Sequence, residues 1–357
     1  MIGRATTKLL DAPRVGPEEA GLKSAVDALG GEVIRLRSRD GLKLTARWLP
    51  ADGGPAAGEP EGGAGEGVPA EGADGAAAMT GGWRPDPYEA ILLLHGWTGS
   101  VAPDLVELGP TLRRTAGVLG LDFRGHGGSD DAPTTFGLNE IEDVAGALAW
   151  LGERGIRRVA LVGSSMGGVV AIAAIVVLGD GTLAQADLDP TAPAAAVEPP
   201  RPRIVGAIAE STAPDLRIPI ANRMGLPIGG VLRRALAGRM FTLAGRRVGG
   251  DLRATEPGRI VGLVEPVPLL LIHGGADRTV RPADGRRLAA LAGPSAEHWE
   301  VPGAEHGHSR QAAPAQWDER VSTFLRSAFS GAREVVPIIH ASGQPTPDSR
   351  SRELEGD

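Results

Sequence analysis

The sequence predicts an α/β protein whose core is a mostly parallel β-sheet with helices on both faces. Apolar runs typical of buried strands alternate with segments of helical periodicity along most of the 357 residues. Runs such as "AILLL" at 90–94 are apolar without interruption, as expected of strands buried on both faces. The segment "GSSMG" at 163–167 joins one such run directly to an apolar helix pattern. The length suffices for one large domain with a substantial core.

Composition and charge exclude several functional classes. Six acidic residues and no Lys or Arg lie within 51–80, so the net charge of −7 comes mostly from that segment, and we expect no nucleic-acid partner. The absence of cysteine excludes disulfides, thiolate metal sites and cysteine nucleophiles. The sequence contains no H-E-x-x-H pattern and no carboxylate–histidine cluster. We therefore expect neither a metal nor an organic cofactor.

One apolar segment is long enough to raise the question of a membrane span. It runs from Val159 to Leu178, but it contains Gly163 and Ser165 among other small residues. A buried strand, a turn and a helix explain it better. The first residues also lack the apolar stretch of a signal peptide. We expect no integral membrane segment and a cytoplasmic location.

The expected domain organisation is one α/β domain over 31–330, preceded by an N-terminal segment over 1–30. Residues 51–82 are mostly Gly, Ala, Pro and Glu and predict a flexible insertion between two strands of the same sheet. Residues 181–202 predict a Pro/Ala-rich loop, and 331–357 a flexible C-terminal tail.

The first half of the domain predicts a hairpin followed by alternating strands and helices. Asp40-Gly41 marks the hairpin turn within "EVIRLRSRDGLKLTARWLP". The strand in "YEAILLLHG", a helix over 104–116 and the strand in "GVLGLDF" follow. A helix over 139–152 comes next, with Asn139 as its expected N-cap.

The second half continues the alternation. "RRVALVG" predicts a strand, 166–178 a helix, and "RIVGAIAES" another strand. "VPLLLIHGG" and "AEHWEVPG" predict two further strands, and 314–329 a final helix. No internal repeat is present.

Residues 213–255 interrupt this rhythm, because apolar positions there are interspersed with arginines. Two short amphipathic helices laid over the sheet edge as a small cap would produce this pattern, and so would ordinary core helices. The arginines interspersed among these apolar positions include Arg233, Arg234, Arg239, Arg246 and Arg247.

Gly163-Ser164-Ser165-Met166-Gly167 fits G-x-S-x-G between a predicted strand and a predicted helix, the context that this motif requires. A serine on such a sharp turn has its hydroxyl exposed above the sheet, at the positive end of a helix. Ser165 is the central residue and is therefore the candidate nucleophile, whereas Ser164 occupies a flanking position. A glycine-rich turn that merely packs tightly would produce the same pattern.

A serine nucleophile requires a base that is itself held by a carboxylate. Asp277 lies just past a buried strand and His306 in a later loop, so the chain order is serine, acid, histidine. His308 is the rival base, and Glu210, which also ends a strand, is the rival acid. The developing oxyanion needs two backbone N–H donors.

Five segments resemble the α/β-hydrolase superfamily: "LLLHGWTGS", "LDFRGHGGSD", "GSSMGG", "LLLIHGGAD" and "VPGAEHGHS". They span 91–308, and the flanking elements extend the resemblance to about 31–330. The chain looks most similar to bacterial serine hydrolases related to esterases, lysophospholipases and serine aminopeptidases. The resemblance implies the α/β-hydrolase fold and a loop containing Asp122, Arg124 and His126 that shapes the site without taking part in catalysis. It assigns the nucleophile, acid, base and the two oxyanion N–H donors to Ser165, Asp277, His306, Met166 and Trp97.

The expected function is that of a serine hydrolase that cleaves carboxylic esters of a small-molecule acyl substrate. A serine aminopeptidase or acyl-peptide hydrolase with the same three residues is the alternative within enzymes. A non-catalytic binding protein with this fold is the alternative outside them. The arginines of 213–255 weakly favour an anionic substrate.

Overall fold

The computed structural model describes residues 2–11, 20–53, 83–97, 99–179, 201–224, 228–294 and 296–334. Most of the predicted insertion at 51–82, most of the predicted loop at 181–202 and most of the predicted tail at 331–357 lie outside these residues.

The described strands form one eight-stranded sheet. Their bounds are Glu32–Arg37 (β1), Lys43–Leu49 (β2), Glu89–Leu94 (β3), Gly117–Leu121 (β4), Arg158–Ser164 (β5), Arg203–Glu210 (β6), Leu269–Gly274 (β7) and Ala296–Val301 (β8). The spatial order is β1-β2-β4-β3-β5-β6-β7-β8. Strand β2 pairs antiparallel with β1 and β4, and the other pairs are parallel. The predicted mostly parallel sheet is confirmed.

The helices are Ile2–Leu10 (α1), Ala20–Ala28 (α2), Ala102–Leu112 (α3), Glu140–Glu153 (α4), Met166–Leu178 (α5), Arg217–Arg223 (α6), Gly230–Val248 (α7), Pro257–Ile260 (α8), Pro282–Ala292 (α9), Ser309–Ala312 (α10) and Pro314–Glu334 (α11). A 3₁₀ turn spans Val261–Leu263.

Helices cover both faces of the sheet, as the uninterrupted apolar strands require. Residues of α4, α5 and α9 pack into one apolar cluster, and residues of α3 and α11 into a second. All six residues of β3 and of β7 are buried. Helix α5, with all thirteen residues buried, runs through the middle of the first layer. Its central position explains why its sequence is apolar on every side.

Asn139 does precede α4, but its side chain makes no capping hydrogen bond, so the predicted capping interaction is wrong. The Glu140 carboxylate instead accepts the N–H groups of Thr135 and Gly137, both at 2.8 Å. This buried carboxylate braces the turn that precedes α4 and is not a substitute cap, because Thr135 and Gly137 lie before the first turn of the helix.

Several regions contain helices that differ from the sequence prediction, and α9 lies between two predicted strands where no helix was predicted. Helices α1 and α2 lie in the N-terminal segment, where no element was predicted, and Leu9 and Leu10 are buried in the larger cluster. The region 213–255 contains two main helices as predicted, but α7 has 19 residues and is not short. It packs against α1 and α6, a long-range contact that its own periodicity does not reveal.

The carboxyl ends of the parallel strands meet at one edge of the sheet, where open α/β sheets bind their ligands. Trp97, Ser165, Glu210, Asp277 and His306 each follow or end a different strand at this edge. In the part of the chain that the structure describes, no helix has the length and apolarity needed to cross a membrane.

Candidate active site

The turn between β5 and α5 holds Ser165 in a conformation that few residues adopt. Its φ of 53° and ψ of −108° lie outside the common regions, and the helix begins at the next residue. A Cβ at Gly163 would overlap the backbone of Gly167. A Cβ at Gly167 would in turn overlap the carbonyl oxygen of Leu94. The glycines of the motif are thus required because the backbones of β3, β5 and α5 nearly touch.

The two adjacent serines face different surroundings. The Ser165 Oγ lies 3.0 Å from His306 Nε2. Ser164 ends β5, and a Cβ built on Gly307 would lie 3.3 Å from its Oγ. Ser164 also lines a small internal cavity together with Asp104 and Glu210. Only Ser165 therefore reaches the imidazole.

His306 joins the serine to a buried carboxylate. Its Nδ1 lies 2.7 Å from Asp277 Oδ2, while its Nε2 faces Ser165. The Asp277 side chain is fully buried, and the His306 side chain is 16% exposed. The structure thus brings together the three residues that the sequence places at positions 165, 277 and 306.

Asp277 is held by the loop that follows it. Its Oδ1 accepts the N–H groups of Thr279 and Val280 at 2.8 and 2.9 Å. The His273 Nε2 donates to the carbonyl of Val280 at 2.8 Å, which braces the same loop. Burial acts to raise the pKa of Asp277, but His306 and the Val280 N–H bring it below its ordinary value. Asp277 therefore remains a carboxylate that orients the imidazole.

The rival residues occupy other places. His308 is exposed, at the start of α10, and makes no hydrogen bond to Ser165 or Asp277. Glu210 is buried, and its Oε1 accepts the N–H of Ser309 at 2.9 Å rather than a nitrogen of the His306 ring.

The end of β6 connects the serine turn to the histidine loop. The Glu210 carbonyl accepts the N–H of Ser165 at 2.8 Å. Its side chain binds the N–H of Ser309, and the Ser211 Oγ accepts the N–H of Gly307 at 3.0 Å. Two consecutive residues of β6 and its end therefore fix both partners of the Ser165–His306 pair. This role of Glu210 is not predicted from the sequence, because the strand end in "AIAES" does not show which backbone it will face.

The turn after β3 passes directly beside Ser165. A Cβ at Gly96 would lie 3.6 Å from the Ser165 Cβ, so Trp97 follows at the edge of the site. Neither the Trp97 N–H nor the Met166 N–H donates to any acceptor within the described ranges. Both positions suit the donors that an oxyanion requires.

His95 holds the turn after β3 in place through two hydrogen bonds. Its Nδ1 donates to the carbonyl of Gly96 at 2.7 Å, and its Nε2 accepts the N–H of Phe123 at 3.1 Å. Burial, reinforced by the nearby His126, lowers the pKa of His95 to about 3. The neutral ring can therefore donate on one side and accept on the other.

A mostly apolar cleft opens at Ser165, between α5 and α6. Its lining residues are Trp97, Phe136, Ser165, Met166, Val169, Ser211, Ala213, Leu216, Pro219, Ile220, Arg223 and Val280. Residues of α6 thus line the same cleft as the serine turn. Among the described residues, no group of three or more His, Asp or Glu side chains is arranged to hold a metal ion.

The lowered pKa of Asp277 predicts a pH-dependent contribution to stability. Because the folded chain binds this proton more weakly than the unfolded chain, the contribution is present above the ordinary carboxyl pKa. It is lost as the pH falls through the lower folded value. We expect Asp277→Asn to lower the free energy of unfolding by roughly 1–3 kcal/mol at pH 7. The difference from wild type should shrink as the pH falls below about 4 in urea titrations, and a constant difference would contradict this assignment.

Comparison with known proteins agrees with this architecture. The Escherichia coli O157:H7 protein YfhR is 24% identical over 283 residues, covering 78% of this chain and 75% of YfhR. The esterase Pf2001 of Pyrococcus furiosus superimposes with a TM-score of 0.54 at 20% identity, covering 88% of this chain and 98% of Pf2001. An alpha-beta hydrolase from Vibrio vulnificus gives a TM-score of 0.55 at 17% identity, covering 90% and 92% of the two chains. At these identities the structural likeness establishes the fold.

A model of the alpha/beta hydrolase family matches residues 91–320. This range contains the serine turn, the Asp277 loop and the His306 loop, together with six of the eight strands. The chain therefore belongs to the alpha/beta hydrolase family.

Proposed function

We propose that this protein is a serine hydrolase that cleaves carboxylic esters through an acyl-enzyme intermediate. The observation that carries the proposal is the continuous path from Ser165 Oγ through the His306 ring to the buried Asp277 carboxylate. A serine hydroxyl is a weak nucleophile unless a base removes its proton, and this path supplies that base.

In the first step, Ser165 Oγ attacks the ester carbonyl carbon while His306 Nε2 accepts its proton. The carbonyl oxygen becomes an oxyanion, to which the backbone N–H groups of Met166 and Trp97 donate. His306 then returns the proton to the leaving alkoxide oxygen as the C–O bond breaks. Asp277 holds the imidazole in the required tautomer and stabilises its protonated form.

In the second step, a water molecule replaces the alcohol. His306 accepts a proton from this water, the oxygen attacks the acyl carbon, and the proton passes to Ser165 Oγ as the acyl group leaves. Every transfer in this scheme uses a side chain, a backbone N–H or water, so it requires neither a metal nor an organic cofactor.

A cytoplasmic location stays a prediction.

The lining of the cleft supports an ester rather than an aminopeptide as substrate. An aminopeptidase needs an acidic group that captures the substrate amine. Among the described residues that line the cleft there is no carboxylate, and the charged side chain is that of Arg223. A cation at this place would repel a protonated amine.

The first test asks which serine reacts. We expect a fluorophosphonate probe to label the wild type and Ser164→Ala, and to leave Ser165→Ala unlabelled, because only Ser165 lies against His306. Gel fluorescence measures the labelling. Unlabelled but folded wild-type protein would favour the binding-protein alternative.

A panel of p-nitrophenyl esters and aminoacyl-p-nitroanilides then distinguishes the ester-hydrolase hypothesis from the aminopeptidase hypothesis. We expect the esters to be hydrolysed and the anilides not. Faster cleavage of the anilides would favour the aminopeptidase.

The second test ranks the two histidines. Removal of the base should reduce kcat on the order of 10³-fold or more in His306→Ala. His308→Ala is the matched control, because the exposed His308 makes no hydrogen bond to Ser165 or Asp277, and its kcat should stay within about threefold of wild type. A larger loss of kcat in His308→Ala than in His306→Ala would show that His308, and not His306, is the base.

The third test concerns Glu210 as a positioning residue for His306. Glu210→Ala removes the acceptor of the Ser309 N–H, so the histidine loop should lose its alignment with the serine. We expect kcat to fall about tenfold while KM changes little, since the cleft itself is unaltered. Glu210→Gln, which keeps an acceptor oxygen, should restore most of the rate.

Glu89→Ala is the control for Glu210→Ala. Glu89 is also buried, but it pairs with Arg158 at the start of β3, at the opposite edge of the sheet. A kcat of Glu210→Ala within twofold of wild type, or an equal loss in Glu89→Ala, would refute the positioning role.

A further inference from the structure

Among the described residues that line the cleft beside Ser165, the charged side chain is the cationic Arg223. The polar side chains of this lining are Ser165, Ser211 and Arg223, and the remaining lining residues are apolar. The Ser211 Oγ already accepts the N–H of Gly307. A substrate lying on the apolar walls would therefore meet one cation, the guanidinium of Arg223.

Arg223 differs from the neighbouring arginines in having no acidic partner. Arg217 pairs with Asp215 at 2.5 Å, and Arg253 pairs with Glu256 at 3.1 Å. Within the part of the chain that the structure describes, no carboxylate lies within ion-pair distance of Arg223, and none hydrogen-bonds to it. Its five N–H donors are thus available to an anion.

The helix that carries the exposed Arg223 is held beside the reacting groups. Arg223 is the last residue of α6, whose Ile218 and Ala221 are buried. The preceding residue, Asn222, donates from Nδ2 to the carbonyl of Thr279 at 2.9 Å. Thr279 belongs to the loop that binds Asp277. Helix α6 is therefore tied to the same loop that orients His306.

The acyl group is the part of an ester that best suits this cleft. It stays on Ser165 through both steps of the proposed reaction, whereas the alcohol must leave before water attacks. The walls contributed by Met166 and Val169 on one side and by Pro219 and Ile220 on the other suit a chain of methylene groups. The end of such a chain would approach Arg223.

We propose that Arg223 determines specificity by binding a carboxylate at the far end of the acyl group. The preferred substrates are then hemiesters of aliphatic dicarboxylic acids. The guanidinium would bind the terminal carboxylate through charge-assisted hydrogen bonds, and the apolar walls would hold the chain between the two ends. The proposal rests on the serine-hydrolase function and adds its substrate class.

Helix α7 offers a different explanation for any preference for anions. It carries Arg233, Arg234, Arg239, Arg246 and Arg247 and no acidic residue. These arginines could raise the local concentration of any anion without contacting it. None of them belongs to the described lining of the cleft. An exposed α7 arginine, Arg239, therefore provides a matched control for Arg223.

The experiment compares pairs of methyl esters that differ only in the terminal group. Monomethyl succinate, glutarate and adipate are paired with methyl butanoate, pentanoate and hexanoate, and methanol release gives kcat/KM at fixed ionic strength. For wild type we expect the hemiester to be preferred about tenfold or more at the best chain length. In Arg223→Gln the ratio of kcat/KM for each hemiester to that for its neutral partner should fall to about one, and taking the ratio within one variant cancels any change that affects both esters alike. Arg223→Lys should keep part of the preference, because it retains the charge but not the planar fork.

The possible outcomes separate this proposal from the function on which it rests. Neutral esters hydrolysed without a hemiester preference at any length would overturn the substrate class alone. An unchanged preference in Arg223→Gln, or an equal loss in Arg239→Gln, would overturn the assignment to Arg223. Wild-type protein that hydrolyses neither set and does not react with a fluorophosphonate would overturn the serine-hydrolase function itself.

Discussion

The close approach of three backbone segments around Ser165 is the constraint on which the candidate site depends. Strand β5 ends at Ser164, helix α5 begins at Met166, and the end of β3 lies directly against the first turn of that helix. Only glycine fits at positions 163 and 167, because a Cβ at either one would overlap a neighbouring backbone. This packing forces Ser165 into its positive φ and exposes its hydroxyl above the sheet.

The second requirement of the site is a fixed position of the serine relative to the histidine, and strand β6 supplies it. Its last residue, Glu210, binds the Ser165 N–H through its backbone and the Ser309 N–H through its side chain. Glu210 is buried, and burial raises its pKa against the opposing effect of the hydrogen bonds from Ser309. A buried acceptor of this kind holds its partners strongly, since an unpaired N–H there would be costly. The position of the imidazole relative to the serine is thus maintained by contacts that do not involve the ring.

Helix α6 unites two features that are otherwise separate, the wall of the cleft and the support of Asp277. Its residues Pro219, Ile220 and Arg223 line the cleft, while Asn222 binds the loop that holds the carboxylate. We propose that the region 213–255, with α6 and α7, acts as a cap whose first helix selects the acyl group. A change in α6 would then affect both substrate binding and the geometry of the acid.

The sequence by itself predicted the mostly parallel sheet, several of its helices and three residues that lie together at one edge of the sheet. Uninterrupted apolar runs specify strands buried on both faces, and the G-x-S-x-G turn and the chain order of Asp277 and His306 are local features of the sequence. In the structure Ser165 lies beside His306 and His306 beside Asp277, whereas the roles of nucleophile and base stay predictions. The tertiary structure alone decided the burial of α1 against α7, the tether at the end of β6 and the place of Arg223. These features depend on contacts between residues far apart in the chain, and periodicity and local propensity carry no information about such pairs.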